Sequence, residues 1–344
     1  METNIFTMQN IDKSRWNELL CKSTTDIHNI FQTCEWANII ENCYNQSARF
    51  AIFEDDHGLH GGYLYFRKQI LRIFCAYESF GGPLCNNERS DIIEYHAINQ
   101  LLNEYCESHP RYILTRPSIQ SGSDSNFVDR GFIKTRFYTF VIDTAQKEDA
   151  IWSNLRKNAR NGVRKAEKSD ISVSSAESSD EWSEFYRLHV EHSHDRGIAS
   201  KPIDFFRIIY EEFVPKGMSK LFIARNNGVI IGGKLLLCFN RVATYYIGAS
   251  YDEYSKYSPD DLILWHAILW CNKNGFSMLD LGDSWPDPNS HLYGIHKFKE
   301  KWGGSLIHRD FYIHGRLYRF GRQLVLDNRI IQRFYEGIHE KRWF

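Results

Sequence analysis

The sequence predicts an α+β fold made of two copies of one unit, each a mostly antiparallel mixed sheet flanked by helices. Three observations carry this. The stretches "IFEDDHGLHGGYLYF" (52–66) and "IARNNGVIIGGKLLLCF" (223–239) align without a gap at an offset of 171, with Gly61-Gly62 and Gly232-Gly233 coinciding. In both, a short apolar strand runs through a polar turn into a second strand, which is a hairpin signature. The flanking segments also match in order, giving helix, helix, three strands, helix, strand twice over.

In chain order, "SRWNELLCKS" and "DEWSEFYRLH" read as the first helices, and "CEWANIIENC" and "IDFFRIIYEE" as the second. The hairpins follow, then the third strands "LRIFCAY" and "VATYYIGAS", the helices "RSDIIEYHAINQLLNEYC" and "PDDLILWHAILWCN", and the strands "RYILTRP" and "FSMLDLG". The strand "FIKTRFYTFVI" closes the first copy, so the expected division is 1–145, 146–313, and a helical C-terminal segment, 314–344, that packs back on the first domain.

With 344 residues, 42% of them hydrophobic, two domains are expected. No apolar run reaches membrane-spanning length and the N-terminus has no secretion signal, so a cytoplasmic protein is expected, with eight scattered cysteines as reduced thiols. The net charge of −1 conceals segregation, because residues 154–168 hold six Lys/Arg against one Glu. "IWSNLRKNARNGVRKAEK" (151–168) reads as one amphipathic helix whose basic face, with Arg156, Lys157, Arg160, Arg164 and Lys165, suits a phosphate group or another polyanion.

The element order is that of the GNAT acyltransferase fold, which identifies the chain as two GNAT-like domains in tandem. GNAT enzymes that use coenzyme A cradle its pyrophosphate on a glycine-rich turn before the helix that follows the strand meander. The second copy reads "YDEYSKYSPDDLILW" there, without glycine, and "FGGPLCNNERSD" in the first copy is not that motif either. His189, His192 and His194 lack a completing carboxylate or cysteine at ligand spacing, so no metal is expected.

"LRKNARNGVRKAEK", "ATYYIGAS", "LILWHAILWCNKNGFSMLDLGD" and "GIHKFKEKWGG" together resemble the FemABX family of aminoacyl-tRNA-dependent peptidyltransferases. The resemblance is dense over 151–310 and architectural before that. It implies a cytoplasmic enzyme with no cofactor, aminoacyl-tRNA as co-substrate, and a peptide or nucleotide-sugar-peptide acceptor. It also fits a monomer with peripheral contact at the inner membrane face. By the same resemblance Lys299, beside Phe298 in F-K-x-x-W-G, is the active-site lysine, Tyr246 binds the precursor, and Arg196 contacts its diphosphate. Asp283 is a further candidate at the strand end, while Asp280 reads as a strand-end hydrogen-bonding residue. The chain departs from the family at Arg116, which precedes Pro117 where an acidic residue is usual, and an arginine suits an anionic acceptor group. The competing expectations are an N-acyltransferase with an acyl-CoA or acyl-carrier donor, and a tRNA-binding protein without catalysis.

Overall fold

The computed structural model describes residues 2–23, 29–70, 74–85, 90–108, 112–115, 127–290 and 292–315. Arg116 and the C-terminal segment beyond 315 lie outside them. The chain forms two compact units, passing from the first to the second after Arg136 and leaving the second after Arg309.

The first unit carries β1 (Glu2–Phe6), α1 (Lys13–Lys22), α2 (Cys34–Tyr44), β2 (Gln46–Asp55), β3 (Gly58–Ile70), β4 (Phe74–Glu78), β5 (Leu84–Cys85), α3 (Ser90–Ser108) and β6 (Ile113–Thr115). Its sheet runs β1-β2-β3-β4-β6, antiparallel except for the parallel β4–β6 pair. The second unit begins within β7 (Ile133–Asp143) and continues through α4 (Glu148–Asn154), α5 (Lys157–Glu167), β8 (Ile171–Ser175), α6 (Ser179–Asp195) and α7 (Ile203–Ile208). It is completed by β9 (Ser219–Asn226), β10 (Val229–Phe239), β11 (Val242–Ser250), α8 (Pro259–Lys273), β12 (Met278–Ser284), α9 (Tyr293–Glu300) and the start of β13 (Ser305–His314). Here the order is β7-β12-β11-β10-β9-β8, with β11–β12 the parallel pair.

The repeated glycine pair has the same physical role in both units. A Cβ on Gly61 would lie 2.7 Å from Ile93 of α3, and one on Gly62 would lie 2.6 Å from Leu19 of α1. In the second unit the equivalents are Ile263 of α8, 3.3 Å from Gly232, and Phe185 of α6, 2.7 Å from Gly233. Each pair therefore lets one helix close onto each face of the central strand, which a residue with a side chain would hold off.

Two expectations need correction. The strand "FIKTRFYTFVI" is expected in the first copy, with a boundary at 145/146, yet Tyr138–Asp143 pair antiparallel with β12 and the division falls at 136/137. The basic segment 151–168 is two helices rather than one, because Leu155 and Arg156 are extended. The break has a tertiary cause. The Arg156 N–H donates to the Lys301 carbonyl at 2.9 Å, and Gly303, at φ +74°, lets Asn154 approach so closely that a Cβ there would lie 2.3 Å from its carbonyl oxygen. The Trp-Gly-Gly turn thus receives the α4–α5 junction.

A candidate active site in the second unit

β11 and β12 pair over three residues only, Val242–Thr244 against Met278–Asp280, and their pairing stops there. Both strands are irregular where they separate. In β11 the register slips so that Tyr245 and Ile247, but not Tyr246, face β10. In β12 the slip lies between Asp280 and Asp283, and Gly282 there has φ +77°. A Cβ on Gly282 would stand 3.1 Å from the Tyr245 carbonyl oxygen and 3.5 Å from Lys299 Nζ, so glycine keeps this opening clear.

Lys299 comes to that point from α9. It is buried, and its Nζ donates to the Asp283 carbonyl at 2.6 Å, its one hydrogen bond among the described residues. An ammonium has three donors, so two N–H groups remain uncommitted. Burial pulls the Lys299 pKa down to about 8, while the Asp283 and Asp280 carboxylates hold it up and Arg309 and Lys234 push it lower. The group stays cationic at neutral pH and is poised to lose its proton just above it.

A second buried lysine lies close by. Lys234 Nζ pairs with Asp260 Oδ1 at 2.6 Å, donates to the Tyr245 hydroxyl at 3.3 Å, and lies 5.3 Å from the Phe298 ring centre. Burial opposes its charge, but Asp260 and Tyr245 together outweigh burial and its pKa rises. Asp260 also accepts from Ser250 Oγ at 2.8 Å, and His192 Nδ1 lies 2.9 Å from the Ser250 carbonyl. Asp260 and Asp261 form the first turn of α8, the place where a coenzyme A pyrophosphate would be cradled in a GNAT enzyme. Carboxylates there complement the helix dipole and repel a second anion.

Among the predicted residues, the structure brings Phe298, Lys299 and Asp283 together. Phe298 packs edge-on to buried Trp302, with ring centres 6.3 Å apart. Tyr246 instead stacks on Phe205 at 5.8 Å and lies 5.6 Å from the Lys201 ammonium, so it is Tyr245 that meets Lys234. Arg196 caps α6 and is ion-paired with exposed Asp252, so an anionic ligand would have to displace that carboxylate. Asp280 is fully buried and structural, accepting from Thr139, the Gly282 N–H at 2.9 Å, and Arg309.

The other two lysines of "GIHKFKEKWGG" are spent on structure. Lys297 pairs with Glu300 at the surface. Lys301 pairs at 2.6 Å with buried Asp261, whose carboxylate lies so near Gly162 of α5 that a Cβ there would clash with it. On α5, Lys157, Arg164 and Lys165 are exposed, while Arg164 lies over Trp152 at 5.5 Å. Arg160 donates to the Ser153 and Leu155 carbonyls, and Arg156 pairs with Glu300 at 2.7 Å. The basic face expected of one long helix is thus confined to α5 and its flanks, and two of its five residues are committed to local bonds.

The acetyltransferase (GNAT) domain model matches residues 153–299. The lipid II:glycine glycyltransferase of Staphylococcus haemolyticus is 27% identical over 113 residues, 31% of this chain and 27% of that protein. The Staphylococcus aureus protein of the same name is 25% identical over 124 residues, 34% of this chain and 30% of that one. The crystal structure of FemX superposes with a TM-score of 0.72 at 17% identity, covering 91% of this chain and 97% of that one. In sequence and in fold the chain resembles the FemABX proteins. The chain spans less than a third of the length of those glycyltransferases in the matched stretches. Its tandem GNAT fold is shared with L-PGS from Bacillus licheniformis, with a TM-score of 0.59 at 11% identity over 89% of this chain and 92% of that one. Among the described residues, no helix is long and apolar enough to cross a membrane.

Lys234 escaped sequence reasoning although a signal exists. A lone lysine inside "IIGGKLLLCF" must be buried in a central strand, and a buried ammonium requires a carboxylate partner.

Proposed function

We propose that this protein transfers an aminoacyl group from aminoacyl-tRNA to an amine of a peptide acceptor of the peptidoglycan-precursor kind, forming a peptide bond. The observation that carries the reading is the buried Lys299 ammonium with two uncommitted donors, at the opening between β11 and β12. An aminoacyl ester is already activated. Its aminolysis needs alignment and a preorganised donor for the oxyanion of the tetrahedral intermediate, which a desolvated ammonium supplies.

The glycyltransferase similarity supports the acceptor class, and the exposed cations of α5 support tRNA as donor. The GNAT domain match favours the acyl-CoA alternative, but Asp260 and Asp261 in the first turn of α8 oppose a pyrophosphate there. Neither donor calls for a metal or a resident cofactor in this scheme.

The test is to supply labelled aminoacyl-tRNA and a peptide amine. Label is expected to appear in the peptide as an amide, and RNase treatment of the donor is expected to abolish this. Label that stays on tRNA with every amine would overturn the reading. Lys157 and Lys165 are exposed and make no side-chain bond among the described residues, so Lys157→Glu with Lys165→Glu tests the donor surface without disturbing the fold. This pair is expected to weaken tRNA binding and to flatten the dependence of log K on log salt by about 2, as measured by filter binding across a salt series.

A further inference from the structure

Four carboxylates lie on the elements that carry Lys299, Lys234 and Lys301 and their neighbours, and three are committed. Asp280 is held by Thr139, Gly282 and Arg309, Asp260 by Lys234 and Ser250, and Asp261 by Lys301. The fourth, Asp283, is half-buried, and its carboxylate makes no hydrogen bond or ion pair among the described residues. Its own carbonyl holds Lys299, so one residue fixes the spacing between a free carboxylate and the ammonium. Past the irregularity at Gly282, Asp283 pairs with Thr139 of β7 across the strand.

We infer that the Asp283 carboxylate receives the acceptor's ammonium and accepts its proton, which makes Asp283 a further catalytic residue of the transfer proposed above, on which this inference rests. Acceptor amines are charged at neutral pH and cannot attack in that form. Held at Asp283, the ammonium releases one proton to water and the neutral nitrogen attacks the ester carbon. As the C–N bond forms, the oxyanion develops beside Lys299 and Asp283 takes a second proton from nitrogen. As the C–O bond to the ribose breaks, that proton passes to the leaving oxygen. The products are an amide, a free ribose hydroxyl, one released proton and an ionised Asp283.

The test compares two acceptors with wild type and Asp283→Asn at about pH 6.5, where Lys299 remains protonated in wild type and is measured as such in the variant. The peptide amine arrives charged, whereas hydroxylamine is largely neutral there and needs neither a counter-charge nor deprotonation. Asp283→Asn is expected to lower kcat/KM for the peptide amine by about 10²–10³-fold and for hydroxylamine, above its uncatalysed reaction, by less than about tenfold. Asp283→Glu is expected to recover part of the loss and to keep the unfolding midpoint, while Asp283→Asn lowers the midpoint only slightly, since no hydrogen bond is lost but one of the carboxylates supporting the Lys299 charge is. Equal losses for the two acceptors, or no loss for either, would overturn the role of Asp283 while leaving the transfer reading intact. Wild type that moves label to neither acceptor would overturn both.

Discussion

Lys299→Met is expected to lower the rate of aminoacyl transfer by about 10²–10³-fold, the cost of removing one preorganised oxyanion donor. The same substitution is expected to make the protein more stable at neutral pH. The folded pKa of Lys299, about 8, lies below its ordinary value of 10.5, so folding at pH 7 confines a charge the surroundings disfavour. The penalty is fully present below pH 8, shrinks as pH rises from 8 to 10.5, and is gone above that range. Removing it is worth about 3 kcal/mol at neutral pH. Denaturant unfolding of both proteins at pH 7 and pH 10 checks the sign, since the variant's advantage should narrow at the higher pH. Because the cation is the working form, wild-type transfer should also decline as pH rises through about 8. An exposed lysine would hold its charge two units further.

Lys301→Met is expected to destabilise the fold by about 3–5 kcal/mol, the cost of leaving a buried carboxylate without its partner. Asp261 sits between α8 and α5, against Gly162, and burial already raises its pKa with Lys301 opposing. With that lysine gone, the carboxyl is expected to protonate, so the stability lost at pH 7 should partly return at mildly acidic pH. Combining Lys301→Met with Asp261→Leu should recover much of the loss, since an apolar pair replaces an ion pair. Thermal unfolding of the single and double variants measures the coupling. Equal stability of wild type and Lys301→Met would contradict a structural role for this lysine.

These two lysines, two residues apart, show what the sequence made legible. The F-K-x-x-W-G pattern distinguished Lys299 by its neighbours, because the motif fixes a helix end and a glycine turn around it. The partner of Lys301 was not legible, since Asp261 lies 40 residues away and belongs to another helix. The internal repeat was readable because Gly-Gly pairs record close packing on both faces of one strand. The interruption at Leu155–Arg156 was not, because propensity and amphipathicity continue across it and only contact with the Trp-Gly-Gly turn breaks the helix. Similarly, the tyrosine chosen by pattern, Tyr246, occupies the bulge of β11, and a one-residue slip hands the contact with Lys234 to Tyr245.

The central claim is that Lys299 serves an aminoacyl ester carried by tRNA. The direct measurement offers the protein labelled aminoacyl-tRNA and an acyl-CoA at equal concentration with one peptide amine, and follows both labels. The expected result is an aminoacyl amide formed at a rate that Lys299→Met reduces by about 10²–10³-fold, with no acyl transfer from the thioester. Acyl transfer from the thioester with the aminoacyl label left on tRNA would contradict it.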